Sequence, residues 1–236
     1  MQPVRGVIFD LFHTLTARES EGSDVTPTCE VLGIDRRTWN GILVESSRWR
    51  VVGEVRDPYE ILRRLARQVD PAVEEARIRL ALELRLRRFK QIFQRIPPAN
   101  LAALGRLRSA GMRLALLSNA DVLEAAEFAG SVLEPLFDVA IFSCDAGCAK
   151  PEPEIFRACL GKLGLGADEC VFVGDGGSDE LRGAKAVGLR TVFVSGVIEE
   201  LWPERIPARR AVADHHVRFV PEVLPWLGIE APEAVA

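Results

Sequence analysis

Cysteine is sparse in this 236-residue chain, and no apolar run in it is long. The five cysteines, Cys29, Cys144, Cys148, Cys159 and Cys170, are scattered and odd in number, which excludes a disulfide scaffold and fits reduced thiols. Cys144 and Cys148 invite a metal reading, but a second such pair or nearby histidines are missing, so they read as ordinary core or loop residues. No stretch approaches the roughly 18 apolar residues of a membrane helix. The first apolar run, Val7-Ile8-Phe9, is cut by Asp10 before a signal-peptide core can form. A basic excess is also lacking: the net charge is −4, which leaves no electrostatic footprint for nucleic acid. Nineteen glycines and fourteen prolines are too few for a collagen-like or low-complexity chain. What is present, 48% apolar and 27% charged residues, suits one large or two modest globular domains, expected in the cytoplasm.

Short apolar runs recur with helical stretches between them: Val7 to Phe9, Leu114 to Leu117, Val139 to Phe142, Val171 to Val173 and Val192 to Val194. Each run is almost wholly apolar rather than alternating, as expected of central parallel strands covered on both faces. The pattern predicts an open three-layer α/β domain. The gap from about Leu15 to Pro98 is far too long for one crossover helix, so a helical domain is expected to be inserted there. Within it, Asp70-Pro71 reads as a helix start, and the stretch to Arg95, rich in Leu, Arg, Glu and Ala, reads as helix. One signal disagrees: Ile78, Leu80, Leu82, Leu84 and Leu86 alternate with the period of a strand. The arginines between Arg77 and Arg88 read as a solvated helix face. Pro97-Pro98 closes the insert, and the residues from Glu230 to Ala236 read as a frayed end.

Ligands of open parallel sheets sit beyond the carboxyl ends of the strands. Asp10, His13 and Thr14 follow the first run, Ser118 and Asn119 the second, a loop to Lys150 the third, and Gly174-Asp175-Gly176-Gly177-Ser178-Asp179 the fourth. Each has an ordinary reading alone: Asp179 as a helix N-cap, Thr14 as a structural hydroxyl, Ser-Asn as a turn, Lys150 as a loop lysine. In order, the segments VIFDLFHTLT, LALLSNA, AKPEPEIF and VFVGDGGSDELRGAKAVGL resemble the four motifs of the haloacid dehalogenase superfamily of hydrolases. The resemblance covers most of the chain. It implies a Rossmann-like α/β/α core of residues 1–14 and 98–236 with a parallel sheet, and a helical cap domain of residues 15–97. It further implies that Asp10 is the nucleophile, that Ser118 binds the transferring group and that Lys150 neutralises charge. Thr14, Asn119 and His13 stand as candidate substrate-binding residues. Asp10, Asp175 and Asp179 are expected to hold Mg²⁺, with Phe12 at the remaining metal position.

The chemistry is consistent with those roles. An aspartate of ordinary pKa is already ionised at pH 7 and needs no base to attack, but a phosphate dianion must be met by positive charge. One position departs from the phosphatase pattern: phosphatases of this family carry a second Asp two residues after the nucleophile, and Phe12 stands there. A phenyl ring transfers no proton, so general acid catalysis worth roughly 10² to 10⁴ in rate is missing from its usual place. The family's dehalogenases also lack an acid there, whereas Asp175 and Asp179 match the metal pattern. Phosphonate cleavage would need a cap lysine, and Lys90 reads as a solvated helix residue. His13 stands where the family usually has Gly and offers a substitute acid. The expectation is an Mg²⁺-dependent phosphatase acting on a small phosphorylated molecule through an aspartyl phosphate at Asp10. The alternatives are a 2-haloacid dehalogenase and a phosphate-binding protein with little turnover. Neither nucleic acid nor membrane is expected as a partner, and the chain is expected to be a monomer or homodimer.

Overall fold

The computed structural model describes residues 3–45 and 48–230, so the expectation of a frayed end at 231–236 lies outside the described residues. The five apolar runs form strands β1 (Gly6–Phe9), β2 (Arg113–Ser118), β3 (Val139–Phe142), β4 (Cys170–Gly174) and β5 (Arg190–Val194), and a sixth strand, β6 (His215–Val217), follows. All pair in parallel, in the order β3-β2-β1-β4-β5-β6. The chain winds outward from β1 to β3, returns to β4 on the other side of β1, and winds out again. The reversal between β1 and β4 opens a crevice at their carboxyl ends, where Phe9 stands beside Val173.

Both faces of the sheet are covered, and this is why the strands are apolar throughout. Val7, Phe9, Leu114, Leu116 and Val173 point to one face, against Leu104 and Leu107 of the helix Pro98–Ser109 and Val223 and Leu224 near the end of the described chain. Ile8, Ala115, Leu117 and Phe172 point to the other, against Ile155, Phe156 and Cys159 of the helix Pro153–Leu163 and against Leu181 and Ala184. β6 escaped the sequence reading because Val217 is its one aliphatic residue. Its histidines pack to opposite faces, His215 stacked on Trp226 and His216 on Phe193, so they form no shared metal site.

The segment between β1 and β2 is helical, running from Glu19–Gly22 through Thr28–Leu32, Arg36–Glu45, Arg48–Val51 and Pro58–Val69 to Glu75–Gln94. Leu32, Trp39, Ile61, Leu62, Leu65, Ile78 and Ala81 give it a core of its own. The alternating leucines do lie on a helix. The residues buried there, Ile78, Ala81, Arg85, Phe89, Ile92 and Phe93, follow the three-to-four spacing, and Leu80 is 48% exposed. Asp70-Pro71 starts no helix: Asp70 is the C-terminal cap of Pro58–Val69, and the Asp-Pro start operates instead at Asp57, whose side chain accepts from Glu60 N at 2.6 Å. Two of the arginines read as solvated are buried. Arg85 pairs with Glu124 at 2.9 Å, and Arg88 donates to the Val25 carbonyl at 2.9 Å, because their long stems cross the packed face before reaching polar partners.

Candidate active site

Asp10 directly follows β1 and is tied to the neighbouring strand by its N–H, which donates to Val173 O at 2.9 Å. Its side chain is buried. Lys150 Nζ donates to Asp10 Oδ1 at 2.6 Å and the Thr14 hydroxyl donates to Oδ2 at 2.8 Å. The same ammonium donates to Glu180 Oε2 at 2.6 Å and lies 5.6 Å from the centroid of Phe172. Asp10, Asp175 and Glu180 converge so closely that one carboxylate oxygen from each lies within 4.8 Å of the others, all three residues being buried.

Glu180, not Asp179, completes this cluster. Asp179 is turned outward, its side chain 63% exposed and ion-paired with Arg182 at 3.2 Å. The backbone explains the choice. Gly176, Ser178 and Asp179 all have positive φ, 80°, 50° and 52°, and the loop they form turns the first residue of the helix Glu180–Ala186 inward. Glu180 Oε1 accepts from Gly176 N at 2.9 Å. A Cβ at Gly174 would lie 2.2 Å from that oxygen, so only glycine leaves room for it. The adjacent acids Asp179 and Glu180 are equally plausible in sequence, and no local signal separates them.

Ser118 ends β2 with its hydroxyl fully buried and without a hydrogen-bond partner among the described residues, a costly state unless something else engages it. Asn119 is committed elsewhere: its Nδ2 donates to Lys150 O at 2.9 Å and its Oδ1 accepts from Lys150 N at 2.8 Å, which fixes the lysine's main chain. His13 has φ 62°, and its ring lies edge-on to Trp202 at 5.3 Å. Phe12 turns its ring to the helical insert, edge-on to Phe89 at 5.9 Å, and can offer a metal only its main-chain carbonyl. The Arg85 guanidinium covers the same Phe89 ring at 4.8 Å.

One residue of the cluster carried no sequence signal at all. Arg209, on the helix Ile206–Val212, donates from Nη1 to Asp175 O at 2.7 Å and to Asp175 Oδ2 at 3.2 Å. Three carboxylates therefore face two cations, Lys150 and Arg209. Burial pushes the carboxyls of Asp10 and Glu180 above their ordinary range, and neighbouring negative charge adds to it, against the pull of Lys150. Burial works to lower the Lys150 pKa, but attraction to Asp10 and then Glu180 wins and holds it above its ordinary value, so the ammonium stays charged. Burial therefore makes the Asp10 carboxylate harder to ionise than its residue type suggests, while Lys150 favours its charged form. An all-oxygen donor set of three converging carboxylates suits a hard divalent cation such as Mg²⁺.

A sheet reversal with a buried acid-lysine cluster at its mouth is a candidate active site in an α/β fold. The family model for haloacid dehalogenase-like hydrolases matches residues 4–188. The chain belongs to that family of hydrolases. It is 34% identical over 128 residues to a phosphoserine phosphatase of Thermus thermophilus, covering 54% of this chain and 51% of that protein, so the chain spans about half the length of this curated relative. It is 28% identical over 206 residues to (S)-2-haloacid dehalogenase 1 of a Pseudomonas species, covering 84% of this chain and 87% of that protein. A HAD phosphatase from Thermococcus onnurineus has the same fold, with a TM-score of 0.64 and 23% identity over 97% of this chain and 100% of that one. The sheet with its flanking helices is thus the Rossmann-like fold of these enzymes.

Proposed function

We propose that the protein is an Mg²⁺-dependent phosphatase that forms an aspartyl phosphate at Asp10, with residues 15–97 as a cap over a core of residues 1–14 and 98–236. The observation that carries this reading is the convergence of Asp10, Asp175 and Glu180 beside Lys150. A dehalogenase has no phosphate charge to neutralise and gains nothing from a third buried carboxylate. Asp10, Asp175, Glu180 and the Phe12 carbonyl would hold the ion, with Glu180 in the place expected for Asp179. The ion would supply charge neutralisation for an incoming phosphate.

The chain's own groups do the rest. Lys150 screens the attacking carboxylate from the substrate's negative charge, and Thr14 orients it through Oδ2. The unpartnered Ser118 hydroxyl donates to a phosphoryl oxygen. Asp10 attacks phosphorus, the bond to the leaving oxygen breaks, and water later cleaves the aspartyl phosphate to inorganic phosphate and free Asp10. The leaving oxygen departs past Phe12 without a proton donor there, so substrates whose leaving groups are stable as anions, acyl phosphates above all, are preferred. The test is phosphate release from alkyl, aryl and acyl phosphates with and without Mg²⁺, beside halide release from 2-chloropropionate. Turnover is expected to need both the metal and Asp10, to fall steeply from acyl to alkyl phosphates, and to drop at least 10³-fold in Asp10→Asn. Halide release that persists in chelator, with no phosphate release, would overturn the reading in favour of a dehalogenase. That outcome would make the packing of Phe12 on Phe89 part of an apolar leaving-group pocket.

A further inference from the structure

The motif loop that carries Asp175 and Glu180 does not hold its own shape. Within four residues it contains three positive-φ positions, two of them non-glycine, Ser178 and Asp179. Such residues cost of order 1 kcal/mol or more each and persist only where surrounding structure imposes them. The helix Glu180–Ala186 holds the loop from one side through Glu180. From the other side comes Arg209, half-turned over the loop. Its stem lies so close to Gly176 that a Cβ there would meet Arg209 Cδ at 2.9 Å and Cγ at 3.0 Å. Its guanidinium takes both the main-chain carbonyl and a carboxylate oxygen of Asp175, while Gly177 N takes the other oxygen at 2.8 Å. Every rotation of the Asp175 side chain breaks one of these bonds.

We propose that Arg209 is a positioning residue that clamps Asp175 in the orientation needed to bind the divalent cation, an inference that rests on the metal-dependent reading above. Two effects of the guanidinium oppose each other. Its charge repels a cation in the cluster, and its geometry holds the ligand in place. The shorter bond goes to the main chain, not to the carboxylate, so the carboxylate keeps lone pairs for the ion and the positional effect dominates. Partners that orient metal ligands typically contribute 10- to 100-fold to metal affinity.

The experiment is calorimetric titration of the purified full chain with Mg²⁺ alone, without substrate, on the wild type and on Arg209→Ala, Arg209→Gln and Arg209→Lys, with melting of each protein in chelator. Arg209→Ala is expected to bind Mg²⁺ 10- to 100-fold more weakly, and Arg209→Lys, which keeps the charge and one donor, to recover most of the loss at wild-type melting temperature. A purely structural role predicts instead that affinity follows melting temperature across the three variants. Wild-type protein that binds Mg²⁺ while Arg209→Ala or Arg209→Gln binds it equally or more tightly would overturn the proposal alone. Wild-type protein with no saturable Mg²⁺ binding would overturn the metal-dependent reading and this inference with it.

Discussion

Asp10 shows how a residue's neighbours decide what its type leaves open. A free aspartate is ionised at neutral pH, but here burial and then the Asp175 carboxylate raise its pKa while Lys150 and the Thr14 hydroxyl pull against them. Between the ordinary value of 3.8 and the raised native one, the folded protein binds protons that the unfolded chain has released. Stability in the absence of metal therefore falls as pH rises through that window, and above it the loss is complete. Glu180 acts in the same direction. Asp10→Asn removes one of the opposed charges and leaves Lys150 paired with Glu180 at 2.6 Å. The metal-free variant is expected to melt roughly 2–4 °C above the wild type at pH 7, the shift about 1 kcal/mol gives in a domain of this size, with the difference vanishing near pH 3. Thermal melts in chelator across that range check it. Asp10, Ser118 and Lys150 were legible as candidates because each ends, or closely follows, a strand or the loop after it. Glu180 and Arg209 were not, because a turn of unusual φ selects the first and a distant helix delivers the second.

Among the elements, the helix Glu75–Gln94 carries the clearest conflict between local pattern and tertiary packing. Its leucines alternate like a strand, but a 20-residue stretch poor in β-branched residues favours a helix, and the helix places those leucines around its circumference. Burial then separates residues that look equivalent in sequence. Ile78 is fully buried against Ile61, Leu62 and Leu65, while Leu80 stands in solvent. Ile78→Ala is expected to cost about 2–5 kcal/mol and Leu80→Ala no more than about 0.5 kcal/mol in denaturant unfolding. Equal costs would contradict the burial of Ile78 and the exposure of Leu80. The Asp-Pro signal failed at Asp70 for a related reason: it marks a turn as readily as a helix start, and only the packing of Pro58–Val69 shows where the helix ends.

At the scale of the whole molecule, the insert is fastened to the core by arginines. Arg50 Nη1 donates to Asp121 at 2.6 Å and to Glu124 at 3.0 Å, and Arg85 donates to the same Glu124. The side chains of this group are at least 89% buried, and the two acids also form a capping box at the helix Val122–Ala125, just after Asn119. Arg48 with Glu152 and Arg56 with Asp145 add pairs at the exposed rim. Removing one partner of a buried group strands the opposite charge, so Arg50→Met is expected to cost about 3–5 kcal/mol in unfolding. Arg48→Ala, at 60% exposure, is expected to cost under about 1 kcal/mol. Denaturant melts of the two variants check the contrast, and similar small costs would show that the buried group does not hold the insert in place. The network also brings Phe89 over Phe12, two residues beyond Asp10, with the Arg85 guanidinium on the Phe89 ring.

The sequence by itself determined the parallel sheet, the helical stretch between its first two strands and the strand-end residues that stand as the candidate site. Apolar runs at parallel-strand spacing leave little freedom, and polar residues after such strands have nowhere to go but the crevice. The tertiary structure alone decided which acid faces inward, which arginines are buried and which cation holds Asp175. Those outcomes depend on where a side chain's end lies relative to residues distant in the chain, and neither residue type nor spacing carries that information.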